Sequence, residues 1–326
     1  MIDLSVLDLI TVRQGGTVGE ALADAADLAR TAEQAGYKRF WVAEHHGSEG
    51  IAGGATSVVL AHIGGATSTI RIGAGGIMLP NHNPFVIAEQ FGTLDALFPG
   101  RVDLGLGRAP GADQRIGRAL RRDLMQASEY FPQDVVELRA LLDGDPELPL
   151  RATPGHGANV QMWMLGSSLF GAQLAALLGL PYAFASHFAP AQLDEALALY
   201  RENFRPSGAL DRPYVMAAMT VVCADSDADA TYLASSMDQS FVALRSGSPG
   251  KLPPPVKDYR ESLPGDARMM LEHTRSASAV GNPETVRERI AAFAARTQAD
   301  ELIVSGGIFD PEQRLRSLTM TMDAVR

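Results

Sequence analysis

A single cysteine, Cys223, occurs in 326 residues. An internal disulfide is thereby excluded, and so sparing a use of thiols suits a reducing compartment. Cys223 follows the apolar pair Val221-Val222, so buried packing is its expected role. Positive charge is also scarce: 28 Lys and Arg stand against 38 Asp and Glu, a formal net charge of −10. There is no basic stripe suited to nucleic acid and no polybasic membrane patch. No apolar run approaches the length of a membrane span. The opening MIDLSVLDLI lacks the basic n-region and cleavage signal of a secretory leader. The expectation is a soluble cytoplasmic protein whose partner is a small molecule, not nucleic acid or a membrane.

Other absences narrow the fold. No linker divides the chain and no internal repeat is visible, so residues 1–326 are expected to form one domain. No lysine follows Gly166-Ser167-Ser168, which excludes a Walker A loop. Gly105-Leu106-Gly107-Arg108-Ala109-Pro110-Gly111 has the wrong glycine spacing for a dinucleotide-binding fingerprint and carries a proline in the turn.

What is present is an ordinary globular balance, 46% hydrophobic and 20% charged, enough for a sizeable core. Apolar runs at 2–10, 37–43, 70–79, 102–106, 162–165, 182–186, 214–224 and 301–305 read as strands. Helical periodicity fills the intervals. Thr17 to Glu20 fits a capping box, and Asn83-Pro84 and Asn282-Pro283 fit N-cap and N1 pairs. Strands alternating with helices demand a parallel sheet. Eight such units over this length favour a closed α/β architecture, the (β/α)8 TIM barrel, over an open doubly wound sheet. Insertions are expected after strands 4 and 7. The first should hold a helix beginning near Pro132. The second includes the proline-rich 246–265 stretch, which reads either as a lid or as an inert surface excursion.

A barrel builds its site at the carboxyl ends of its strands. That rule selects Asp8, Glu44, His45, His46, Asn81, His82, Arg108, Ser167, Ser168 and His187. Within 161–180 a strand turns through Gly166-Ser167-Ser168 into a helix. The free N–H groups and the dipole at such a terminus can hold an anion, most often a phosphate. Alone, the turn reads as a serine N-cap. Arg108, from the adjacent strand, could grip the same anion with a bidentate contact and favours the phosphate reading. Gly73, Gly75 and Gly76 cluster inside one strand, where glycine is unfavourable unless something approaches closely. Either a flat ring lies against this backbone or the barrel mouth is tightly packed. Glu44-His45-His46 suggests a metal, but neighbours on a strand point to opposite faces, so the two histidines are not expected to share an ion. No metal site is predicted. One of these histidines is expected to face the pocket as a general acid, base or hydrogen-bond donor.

Ala43-Glu44-His45-His46, the Met78–Pro84 stretch MLPNHNP, Phe98-Pro99-Gly100-Arg101 continuing to Gly111, Leu165-Gly166-Ser167-Ser168 and Val280-Gly281-Asn282-Pro283 together resemble the bacterial luciferase-like flavin monooxygenase family over nearly the whole chain. The resemblance implies a (β/α)8 barrel that binds FMN, delivered reduced by a separate flavin reductase. It implies that Arg108, Gly166, Ser167 and Ser168 hold the phosphate, that Glu44, Gly75 and Gly76 belong to the cofactor site, and that His45 is catalytic at the reactive edge of the flavin. It further implies a non-prolyl cis peptide at Gly75-Gly76, a homodimer, and a lid at Ser246 to Gly265. The implied reaction is oxygenation of a small organic substrate by reduced FMN and dioxygen. A deazaflavin-dependent dehydrogenase and a non-catalytic flavin-binding protein are the alternatives.

Overall fold

The apolar runs of the sequence become parallel strands that close on themselves. They are β1 (Asp3–Asp8), β2 (Arg39–Val42), β3 (Arg71–Met78), β4 (Val102–Gly107), β5 (Gln161–Gly166), β6 (Tyr182–Phe184) and β7 (Val215–Cys223), followed by β8 (Ser278–Gly281) and β9 (Glu301–Ser305). The computed structural model describes residues 2–108, 114–120 and 123–326. The ring runs β1 to β7 and then β9, which pairs back to β1 through Asp3↔Glu301 to Val6↔Val304. This is a TIM barrel of eight parallel strands with helices between them. The four-residue β8 is outside the ring. It pairs with Thr220–Cys223, the upper end of β7. A run as short as Ser278-Ala279-Val280-Gly281 gives no periodicity to read, which is why it is absent from the sequence expectation.

Local signals act as the sequence suggests. Thr17 and Glu20 form a reciprocal capping box, and Gly36 ends that helix in the left-handed region at φ 86°. Asn83 caps Pro84–Leu97 by accepting from Phe85 N at 2.9 Å. One boundary differs. The helix expected from Pro132 is Leu124–Asp143, capped by the Asp123 carboxylate, and Pro132 lies inside it. The proline is not the helix start that the sequence suggests but occupies the helix interior. The Ala109–Gly111 end of the glycine-rich motif lies outside the described residues.

The amino end of the barrel is sealed by charge. Arg39, buried, donates from Nε to Glu301 Oε1 at 3.0 Å and from NH1 to Asp103 Oδ2 at 2.8 Å. Asp103 also receives Arg71 Nε at 2.9 Å and Trp41 Nε1 at 3.0 Å, while Glu301 accepts from the hydroxyls of Ser5 and Tyr214. Every charge in this floor is paired, as burial requires. Above it Trp41 and Trp163 meet edge to face at 5.2 Å, among Leu7, Met216, Ala218 and Ile303.

This layer explains the glycines of β3. A Cβ on Gly73 would lie 2.6 Å from Trp41 Nε1, and one on Gly75 would lie 2.8 Å from Leu7 Cδ1. One on Gly76 would lie 2.6 Å from the Gly105 carbonyl oxygen. Of the two causes open from sequence, close packing is observed: two glycines admit the Trp41 side chain to the barrel interior, and the third admits the neighbouring strand. The Gly75-Gly76 peptide is cis, as the family resemblance implies, and the β3–β4 register shifts there.

Candidate active site

The polar residues that follow the strands gather at the carboxyl end, but in three separate groups. The first is built on Glu44. Its carboxylate is buried, and Oε2 accepts from Met78 N at 3.1 Å, tying the end of β2 to the end of β3. Oε1 lies 2.6 Å from His46 Nε2 and 2.8 Å from His82 Nε2. Burial alone would raise the Glu44 pKa, but the bonds from His82, His46 and Met78 outweigh it and hold the acid below its usual range. An ionised carboxylate only accepts, so each ring nitrogen facing it carries the proton.

This grouping leaves the argument about His45 and His46 as a pair in place and adds a partner that the sequence reading does not consider. His45 is not part of it: Glu44 meets His46, two residues on, and His82 joins them from the turn after β3. Their ligand atoms lie within 4.8 Å of one another, which makes Glu44, His46 and His82 a metal-competent group among the described residues. The same atoms are already at hydrogen-bond distance, and both oxygens of Glu44 are engaged by the protein.

His45 is the centre of the second group. It is half-buried, and desolvation lowers its pKa, opposed by the charge of Glu44 and reinforced by His46. His187, after β6, feels both His45 and Arg275; burial, then these charges, push it down to about 4. Both imidazoles are therefore neutral at pH 7. Nδ1 of His187 is buried without a hydrogen-bond partner.

The third group is the turn after β5 with Arg108. Ser168 sits at the N-cap of Leu169–Leu178 with extended backbone but makes no side-chain capping bond. The reading of this turn as a serine cap is thus not realised; the terminal N–H groups are left without that acceptor. Arg108 is exposed, and its guanidinium lies 4.0 Å from the centre of the Phe170 ring, in the first turn of the same helix. Tyr182 OH supports the turn by donating to Ser168 O at 3.3 Å.

Two further selected residues are buried. Asp8 is buried and ion-paired to Arg314 NH2 at 2.7 Å. Asn81 is buried beside the Glu44 group. The insertion after β7 frames the mouth. Its helix, Asp227–Arg245, runs from Met237, which lies against Gly307 after β9, to Phe241, whose ring is 6.3 Å from that of Phe188 after β6. Residues 246–258 are fastened to the loop after β1: Leu252 N donates to Val12 O at 2.9 Å, and Gln14 N donates to Leu252 O at 2.8 Å. The arginines this insertion carries, Arg245, Arg260 and Arg275, show no pattern in the chain, because they are fifteen residues apart across irregular sequence.

No helix among the described residues is long and apolar enough to cross a membrane. Comparison with known proteins agrees with this architecture. The family model described as luciferase-like monooxygenase matches residues 2–301. A protein of Escherichia coli K12 named luciferase-like monooxygenase is 49% identical over 323 residues, covering 99% of this chain and 96% of its own. The crystal structure of apo-MsnO8 superposes with a TM-score of 0.89 at 34% identity, covering 99% of this chain and 98% of that one. Two more distant structures share the fold. One is the oxygenating constituent of 3,6-diketocamphane monooxygenase of Pseudomonas putida in complex with FMN, with a TM-score of 0.73 at 18% identity and coverage of 99% and 97%. The other is an F420-dependent secondary alcohol dehydrogenase, with a TM-score of 0.73 at 16% identity and coverage of 100% and 99%. On its sequence, its eight-stranded barrel and these matches, the chain belongs to the luciferase-like monooxygenase family.

Proposed function

We propose that the protein is an FMN-dependent monooxygenase that oxygenates a small organic substrate, taking its reduced flavin from a separate reductase and working as a homodimer. The observation that carries the cofactor assignment is the uncapped helix terminus at Ser167-Ser168 beside a guanidinium clamped on Phe170. These groups fit a phosphate monoester: converging N–H donors, a partial positive charge, and one full positive charge. Arg108, Gly166, Ser167 and Ser168 would hold the FMN phosphate. Gly75 and Gly76, near the carboxyl end of β3, would border its ring with their backbone. Glu44 would serve the site indirectly by tying the exits of β2 and β3. When bound, reduced FMN supplies the electrons for reaction with dioxygen. His45 is the candidate catalytic group: a neutral imidazole at the mouth can accept a hydrogen bond or hold a proton near the reacting atoms. The closed floor and the tryptophan layer keep bulk water from entering behind it.

The test is a titration of the purified protein with FMN, riboflavin and a deazaflavin, followed by oxygen uptake with a flavin reductase and NADH. The reading predicts preference for FMN and substrate-stimulated oxygen uptake. Binding of deazaflavin with no affinity for FMN would overturn it in favour of hydride transfer without oxygen. FMN binding without any turnover across a broad substrate panel would leave a flavin-binding protein.

A further inference from the structure

On the β6–β7 side of the mouth, two guanidinium groups share one carboxylate, and a third lies at the end of the helix that carries it. Asp238, buried on the crossing helix, accepts from Arg275 Nε through Oδ1 at 2.8 Å and from Arg260 Nε through Oδ2 at 2.8 Å. Arg275 extends further, donating from NH1 to Thr220 Oγ1 of β7 at 3.1 Å. Arg245, at the end of the same helix, has no acidic partner among the described residues. Its guanidinium lies 4.9 Å from the centre of the Phe188 ring and 5.1 Å from that of Phe241. The whole chain carries a formal charge of −10, so this local surplus of positive charge does not follow from composition.

Two polar atoms here are buried without a partner, Arg260 NH2 and His187 Nδ1. An unanswered buried donor on a cation is costly. A purely structural role, stapling the insertion to β7, would need one arginine on Asp238. It does not account for the second, nor for Arg245, which sits near two rings without an acidic partner among the described residues. Stacked arginine is suited to meeting planar or tetrahedral oxyanions edge-on. The wall is also distinct from the proposed phosphate cradle, which lies after β4 and β5.

We propose that this wall binds an anionic group of the substrate, a carboxylate or sulfonate on a small organic molecule, with the rest of that molecule directed toward His45. The proposal rests on the flavin-enzyme reading for its substrate and on Arg245, Arg260 and Arg275 for its chemistry. The group bound is an oxyanion, and its attachment to the wall does not consume it.

The experiment is equilibrium binding by calorimetry to the purified protein, with and without FMN. The probes are straight-chain alkanoates and alkanesulfonates from two to twelve carbons, each against the alcohol and amine of equal length (~2–12 carbons, spanning the reach of a small-molecule pocket). The expected result is at least about tenfold preference for the anion at some chain length, weakened by added salt. Arg245→Gln, an exposed position that cannot threaten the fold, and Arg260→Gln should each weaken anion binding by about tenfold and leave FMN affinity unchanged. Equal binding of anion and alcohol across the series, or preference for the amine, overturns the proposal. The FMN titration separates the two readings. Intact FMN binding without anion preference removes this inference alone, while anion preference without FMN binding removes the flavin reading alone.

Discussion

The guanidinium of Arg108 lies on the ring of Phe170, 4.0 Å from its centre, so a residue after β4 is held at the helix that follows β5. The contact fixes an otherwise exposed, rotamer-rich side chain before any anion arrives, and prior ordering lowers the entropy lost on binding.

Removing either partner should therefore weaken phosphate recognition unequally. Arg108→Ala is expected to reduce FMN affinity by about ten- to a hundredfold while riboflavin affinity stays unchanged. Phe170→Ala should reduce it by only a few-fold, about 0.5–1 kcal/mol, because the charge remains but is no longer held. Fluorescence titration with the two flavins reads both effects. Equal losses for FMN and riboflavin would remove Arg108 from a phosphate site.

A second prediction concerns acid. The His187 pKa falls from 6.5 to about 4 on folding, so between these values the unfolded chain binds the proton and the folded chain does not. Stability is complete above pH 6.5 and declines as pH falls toward 4. His187→Asn should flatten part of this slope. Urea midpoints measured at intervals from pH 7 to about 4 check it; an unchanged slope in the variant would show that His187 protonates freely in the fold.

The glycine that admits Trp41 should not tolerate a methyl group. Gly73→Ala places Cβ 2.6 Å from Trp41 Nε1 and 2.7 Å from Asp103 Cβ, so the ring must move. A destabilisation of about 1–3 kcal/mol is expected. Trp41→Phe should cost less in the Gly73→Ala background than in the wild type, because the alanine methyl then fills space left by the indole. Chemical denaturation of the double-mutant cycle measures this coupling.

Breaking the floor should be costly. Glu301→Ala leaves Arg39 with Asp103 as its one carboxylate, beside Gln161, and strips the Ser5 and Tyr214 hydroxyls of their acceptor; a loss of about 3 kcal/mol or more is expected. Thermal and urea unfolding check it. A loss under about 1 kcal/mol would mean that water enters the floor.

The barrel was legible because period and punctuation agree: eight apolar runs, helical stretches between them, and caps such as Thr17, Asn83 and Asn282. The neighbourhood of Arg108 and the turn after β5 was legible too, since position after adjacent strands brings Arg108 to the helix that follows Ser167-Ser168 without knowledge of side chains. The Glu44 group was half visible. Glu44 and His46 lie two residues apart in the chain, but His82 joins them only through the pairing of β2 with β3. The reason for the β3 glycines was hidden, because it lies in an indole that enters from β2 and fills the barrel interior. The arginine wall was not legible at all. Arg260 and Arg275 meet on Asp238 through the path of an irregular insertion, with Arg245 at the end of the helix that carries Asp238, and no periodicity describes that path.

The charged floor has one more consequence. With Arg39, Asp103 and Glu301 closing one end and Trp41 and Trp163 filling the level above, the described residues leave the carboxyl end as the way to the barrel axis. Whatever reaches its axis arrives and departs by the same route. Two ligands sharing that route cannot exchange independently: the deeper one enters first and leaves last, so the architecture imposes an order on binding before any chemistry begins.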